Sequence, residues 1–182
     1  FLSAYSAVNQ GHSHPKIVKA LIDQASTLAL TSRAFYNDVL GEYEKYVTEY
    51  FGYDKVLPMN SGAEAVETAI KLARKWAYEK KGIAENEAKI IVCENNFHGR
   101  TTTIISFSND EDARKNFGPY TPGFIEVPHC LEYRNQYGVC EEGYGVRAAK
   151  AIEEVILREG PDTVGGICLE PVTAGGGVIT PP

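Results

Sequence analysis

Apolar residues recur at helical spacing in four stretches of the chain. After His14-Pro15, residues Ile17, Ala20, Leu21 and Ala25 oppose Lys16, Lys19 and Asp23, which predicts an amphipathic helix. From about Leu40 to Phe51, Tyr43, Val47, Tyr50 and Phe51 oppose Glu42, Glu44, Lys45 and Glu49, and Gly52 supplies a stop. A third helix follows Ser61. Its predicted buried stripe is Val66, Ala69, Ile70, Ala73, Trp76 and Ala77, Glu67 and Lys71 stand one turn apart as a favourable pair, and Lys80-Lys81-Gly82 closes it. The fourth runs from Val146 to Arg158.

Between these stretches the pattern becomes continuous or alternating, and strands are predicted. Phe1 to Val8 reads as extended, with a turn at Asn9-Gln10-Gly11-His12, and Val56 to Met59 as a short strand whose Pro58 points to an edge or a strand end rather than a central position. Lys89 to Cys93 is the unbroken apolar run of a parallel strand covered on both faces, and Gly123 to Val127 and Thr163 to Leu169 are further strands. Residues 31–38, 107–122 and 128–145 read as loops. Strands alternating with helices predict an α/β fold, a mainly parallel sheet flanked by helices.

Composition narrows the function classes. The chain has 182 residues, 43% of them hydrophobic and 23% charged, which describes a globular domain with a core. Its apolar runs fall far short of the roughly 20 residues needed to span a bilayer. A net charge of −6, with basic residues scattered among acids, argues against nucleic acid as a partner. The cysteines Cys93, Cys130, Cys140 and Cys168 are widely spaced and read as reduced packing residues, with a Cys130 to Cys140 disulfide as the lesser alternative. His12 and His14 lack a third ligand at metal-site spacing and read as turn residues. The chain begins at Phe1 without an initiator Met, so its compartment, cytoplasm or mitochondrial matrix, is not legible.

Candidate chemistry centres on Asn60-Ser61-Gly62. Ser61 with Glu64 three residues on is a capping box, and the helix N-terminus behind it gathers free N–H groups at the positive end of the helix dipole. Such a terminus can hold a phosphate, with Gly62 allowing close approach and Ser61 adding a hydroxyl. On this element alone an ordinary capped helix remains the commoner reading.

Three blocks change that balance. Asn60-Ser61-Gly62-Ala63-Glu64-Ala65 with Glu67-Thr68-Ala69 and Lys71-Leu72-Ala73-Arg74-Lys75-Trp76, then Asn96-Phe97-His98-Gly99-Arg100-Thr101, then Leu169-Glu170-Pro171-Val172, resemble the class III pyridoxal-phosphate aminotransferases of the ornithine and omega-amino-acid type. Residues 1–127 look most like ornithine aminotransferases. Residues 129–182 look more like transaminases that pass the amino group to pyruvate. Ornithine enzymes place a glutamate where this chain has Gly175.

The resemblance implies the PLP-dependent transferase fold type I, incomplete here, with residues 1–38 leading from the small domain and 39–182 forming the first half of the large cofactor domain. It implies pyridoxal 5'-phosphate as cofactor. Ser61, Gly62 and Ala63 would hold the phosphate, Phe97 would stack on the ring, and His98 and Glu170 would lie close to it. Arg100 would take a substrate carboxylate through two parallel hydrogen bonds, and Tyr5 would lie near the substrate. The family's Schiff-base lysine comes from a later strand, and none of the 11 lysines here stands in its context, so no catalytic residue is assigned and the chain alone is expected to be inactive. Substrates would be an amino acid and an oxo acid, in a protein that is a homodimer at full length. The alternatives are a phosphate- or nucleotide-binding module without catalysis, which lacks the expected glycine fingerprints, and an inert fragment.

Overall fold

The computed structural model describes residues 3–134, 136–139 and 142–182. The chain divides into two compact units, Phe1–Leu57 and Pro58–Pro182.

The first unit contains helices α1 (Pro15–Thr27) and α2 (Asp38–Phe51). Pro15 starts α1 with a preset φ and no N–H to satisfy, while the side chain of His14 makes no capping bond. Asn37 caps α2 by accepting from the Leu40 N–H at 2.8 Å, and Gly52 ends it in the left-handed conformation at φ +73°. Neither helix has a buried residue. The aromatic side chains of α2 pack on one another instead, Tyr46 on Tyr50 and Tyr50 edge-on to Phe51.

The extended segment expected before Val8 is a run of turns over its described part. Ala4, Tyr5 and Ser6 all have positive φ, and the N–H groups of Ala7 and Val8 return to the carbonyls of Ala4 and Ser3. A strand needs a neighbour to take its backbone groups, and here local bonds satisfy them.

The second unit is built on α3 (Gly62–Trp76), β1 (Lys89–Cys93), the single turn α4 (Glu111–Arg114), β2 (Phe124–Val127), α5 (Tyr144–Glu159) and β3 (Val164–Cys168). The strands form a parallel sheet in the order β2-β1-β3, with Ile91 opposite Ile125 on one side and Ile167 on the other. Alternate residues of the central strand face opposite layers. Ile90 and Val92 pack with Ile70 of α3, Ile104 and Phe107, whereas Ile91 packs with Val127, Val155 and Val164 beneath α5. This is the expected α/β architecture, with β1 covered on both faces.

Two glycines bring α3 down onto the sheet: a Cβ at Gly165 would lie 3.1 Å from Ala77 Cβ, and one at Gly166 3.6 Å from Ala73 Cβ. The buried stripe of α3 is therefore narrower than its sequence pattern. Ile70, Ala73 and Ala77 face the sheet, but Ala69 is exposed and Trp76 is 51% exposed. After Trp76 the helix widens into a π-turn over Ala77–Lys81 and stops at Gly82, φ +79°. The Lys81 ammonium then donates to the carbonyls of Pro161 and Val164, both at 2.7 Å, tying the helix end to β3.

Two further expectations differ. Val56 to Met59 forms no strand, because Pro58 cannot donate to a ladder and no strand lies beside the segment among the described residues. Glu67 does not pair with Lys71; it turns to accept from the Thr101 hydroxyl instead. Cys93, Cys130 and Cys168 are free thiols, and the alternative pairing through Cys140 lies outside the described residues.

Candidate functional site

The cap at the start of α3 uses the two residues of the expected box, but Glu64 reaches past the N-cap to Asn60. Ser61 Oγ accepts from the Glu64 N–H at 3.2 Å, and Glu64 Oε2 accepts from the Asn60 N–H at 2.8 Å. With the Glu64 amide so occupied, the first-turn amides of Gly62 and Ala63 have no carbonyl behind them in the helix. The side-chain position of Gly62 is also open, since a Cβ built there would meet no atom within 4 Å.

The loop after β1 leads to the same place. Asn96, 7% exposed, donates to the carbonyls of Cys93 at 2.7 Å and Phe107 at 2.9 Å, which fixes the path of the chain as it leaves the strand. Gly99 then touches the first turn of α3: at φ +125°, its Cβ would lie 2.9 Å from Ala63 Cβ. No other residue fits there without displacing the loop. Thr101 adds its bond to Glu67 one turn further along the helix. Phe97 and Ser61 each lie two residues along the chain from this point of contact.

Phe97 is half exposed and leaves part of its ring to solvent. Its backbone is held by Glu170, whose Oε2 accepts from the Phe97 N–H at 3.0 Å while Oε1 accepts from the Ala174 N–H at 3.3 Å. Gly175 sits alongside, where a Cβ would be 3.4 Å from Phe97 Cβ. The Arg100 guanidinium lies 5.9 Å from the centre of the Phe97 ring and is otherwise exposed. His98 turns the other way, its Nε2 3.8 Å from Cys168 Sγ and its ring 5.8 Å from that of Phe107. Burial pushes the His98 pKa below the ordinary histidine value, with the Glu170 carboxylate opposing in part. Burial likewise raises the Cys93 and Cys168 thiols, which favours the uncharged form.

The structure therefore gathers Ser61, Gly62, Ala63, Phe97, His98, Arg100 and Glu170 within the second unit. Tyr5 belongs to the first, 93% exposed on its turn. Sequence reading missed Asn96, Gly99 and Thr101 as the residues that set the loop. An Asn followed three residues later by Gly, directly after a buried strand, was the available signal.

The loop that carries Phe97 leaves the carboxyl end of the central parallel strand, the place where open α/β sheets bind their ligands. The class III aminotransferase model matches residues 1–182, and the chain belongs to that family, whose cofactor is pyridoxal phosphate. It is 55% identical over 181 residues to the mitochondrial ornithine aminotransferase of Drosophila ananassae and 52% identical over 181 residues to a probable mitochondrial ornithine aminotransferase of Caenorhabditis elegans. All of this chain is covered in both alignments, against 37% and 38% of those proteins.

Among solved structures, the ornithine aminotransferase of Toxoplasma gondii, described with partial occupancy of PLP at its active site, superposes with a TM-score of 0.85 at 44% identity, over all of this chain and 38% of that one. An omega-transaminase of Thermomicrobium roseum superposes at 0.79 and 30% identity, over 96% of this chain and 40% of that one. The chain thus spans under half the length of the proteins it matches, and its likeness to ornithine enzymes runs from end to end.

Proposed function

We propose that this chain is the phosphate-docking and ring-stacking portion of a pyridoxal-phosphate aminotransferase that moves an amino group from ornithine or another omega-amino acid to an oxo acid. The observation that supports this reading is the contact of Gly99 with Ala63, which sets the loop that carries Phe97 against the first turn of α3. In this reading residues 1–38 lead from the small domain and 39–182 begin the large one, the full-length protein is a homodimer, and the chain alone turns over no substrate for want of a Schiff-base lysine.

The amides of Gly62 and Ala63, with the Ser61 hydroxyl, would hold the phosphate at the positive end of the α3 dipole. Phe97 would set the plane of the ring. Glu170 fixes Phe97 through its backbone, so this carboxylate positions the platform, and His98 packs the loop onto β3 as a neutral ring. Arg100 would orient a substrate carboxylate on the same side as Phe97. Pyridoxal phosphate, when bound, would supply the electron sink for proton removal at the carbon that bears the amino group and the carbonyl that carries that group to the oxo acid. Tyr5 would complete the substrate side in the assembled enzyme.

Titration of the chain with pyridoxal phosphate tests the reading. A saturable change in cofactor absorbance or fluorescence is expected, lost when Ser61→Ala is combined with Gly62→Val. Binding that survives the double substitution, or saturable binding of nucleotides in place of the cofactor, overturns it.

A further inference from the structure

Residues 94–97 lead out of β1 to Phe97, and each is tied to a different part of the fold. The Glu94 N–H donates to the Val127 carbonyl at the end of β2, and the Asn95 N–H to Asn109 Oδ1 at 3.0 Å. The Phe97 N–H is taken by Glu170, beyond β3. Asn96 makes the buried tie: its Nδ2 reaches the carbonyl of Phe107, the last residue of the turn Ile104–Phe107. That turn belongs to the core under α3, where Ile104 and Phe107 pack with Ile70, and Ala63 and Val66 pack against them. Through Asn96, the residue next to Phe97 is therefore fixed to the same body that seats the first turn of α3.

The oxygen of the same amide has no such bond. Asn96 Oδ1 is buried and accepts from no donor among the described residues. A buried acceptor without a donor is unfavourable, and an apolar side chain of similar size would avoid it. What Asn96 provides is its two N–H bonds, to Cys93 and Phe107, and both hold the loop rather than fill the core.

We propose that Asn96 is a positioning residue for the cofactor: it fixes Phe97 relative to the N-terminus of α3, so that the phosphate and the ring of pyridoxal phosphate meet their partners together. The inference rests on the reading of Ser61-Gly62-Ala63 as the phosphate seat and of Phe97 as the residue that stacks on the ring. A rigid ligand with two anchors binds well only while the anchors keep their separation, and play in one of them loosens both.

The test reconstitutes the full-length apoenzyme with pyridoxal phosphate. It reads the dissociation constant and the visible circular dichroism per bound cofactor, which reports how firmly the ring is oriented. Asn96→Ala is expected to weaken binding about tenfold and to reduce the dichroism of the saturated enzyme to about half or less. A residue that served stability alone would leave the saturated signal at its wild-type size, and that result overturns the proposal. Asn96→Asp, of equal size, puts an oxygen where the Phe107 carbonyl needs a donor; it should lose as much at neutral pH, and full signal there also overturns the proposal. Val155→Ala, in the core on the opposite face of the sheet, controls for general loosening. Its saturated signal should stay intact, and a drop equal to that of Asn96→Ala overturns the proposal. Should Asn96→Ala fail to fold, Asn96→Ser decides, with partial signal in support and full signal against. Phe97→Leu separates the two levels: a reduced signal supports the stacking reading, and wild-type affinity and signal show that this underlying reading has failed.

Discussion

Helices α2 and α3 carry equally regular apolar stripes, yet only α3 buries a side chain. Both are well capped, by Asn37 and by Ser61, and both are amphipathic along their length. What separates them is the surface each one meets. Opposite α3 stand Ile90, Val92, Ile104 and Phe107, with Gly165 and Gly166 lowering the sheet so that the helix comes close. The stripe of α2, with Tyr43 and Tyr50 50% and 70% exposed, meets no such surface within its unit. Periodicity thus foretells a helix and the face it can bury. Whether that face is covered depends on residues far away in sequence.

The contrast can be broken most directly at Phe107, which is fully buried. Phe107→Ala should cost about 3–5 kcal/mol in urea unfolding of the second unit, whereas Leu21→Ala on exposed α1 should change stability by less than about 0.5 kcal/mol. Equal effects at the two positions would show that the units are not distinguished by burial. A smaller loss is expected for Gly99→Val. A β-branched residue at φ +125° against Ala63 should destabilise by about 2–3 kcal/mol and weaken pyridoxal-phosphate affinity at least tenfold by lifting the Phe97 loop from α3. Wild-type affinity in that variant would uncouple loop and helix.

The smallest effect is pH dependence through His98. Its folded pKa lies below the unfolded value, so the unfolded chain binds more protons as pH falls through the ordinary histidine range near 6.5. Stability contributed by the neutral ring is complete above that range and declines below it. His98→Gln should flatten the decline in thermal melts between neutral and mildly acidic pH, and an unchanged slope would remove His98 as its source.

The candidate site was legible in proportion to how local its geometry is. The Ser61 cap could be read because its partner is three residues away, and Ser61 takes the Glu64 N–H as expected while Glu64 reaches one residue further, to Asn60. The central strand β1 was likewise visible, because burial on both faces leaves an unbroken apolar run from Ile90 to Cys93. Glu67 is the counter-example. Sequence spacing offers it Lys71, but a hydroxyl 34 residues away, delivered by the loop, takes it instead. Val56 to Met59 and the segment around Tyr5 fail as strands for a related reason, since extended backbone needs a partner that a single segment cannot reveal. Gly99 was quoted within a motif, but its role became visible only when Ala63 stood 2.9 Å from the place of its missing Cβ.

The bond from Glu170 to Phe97 joins residues 73 positions apart. As the polypeptide leaves the ribosome, Phe97 emerges well before the carboxylate that holds its backbone, by about 4 to 15 seconds at roughly 5–20 residues per second. The loop that carries Phe97 therefore gains this support only when the third strand has been made and has joined the sheet.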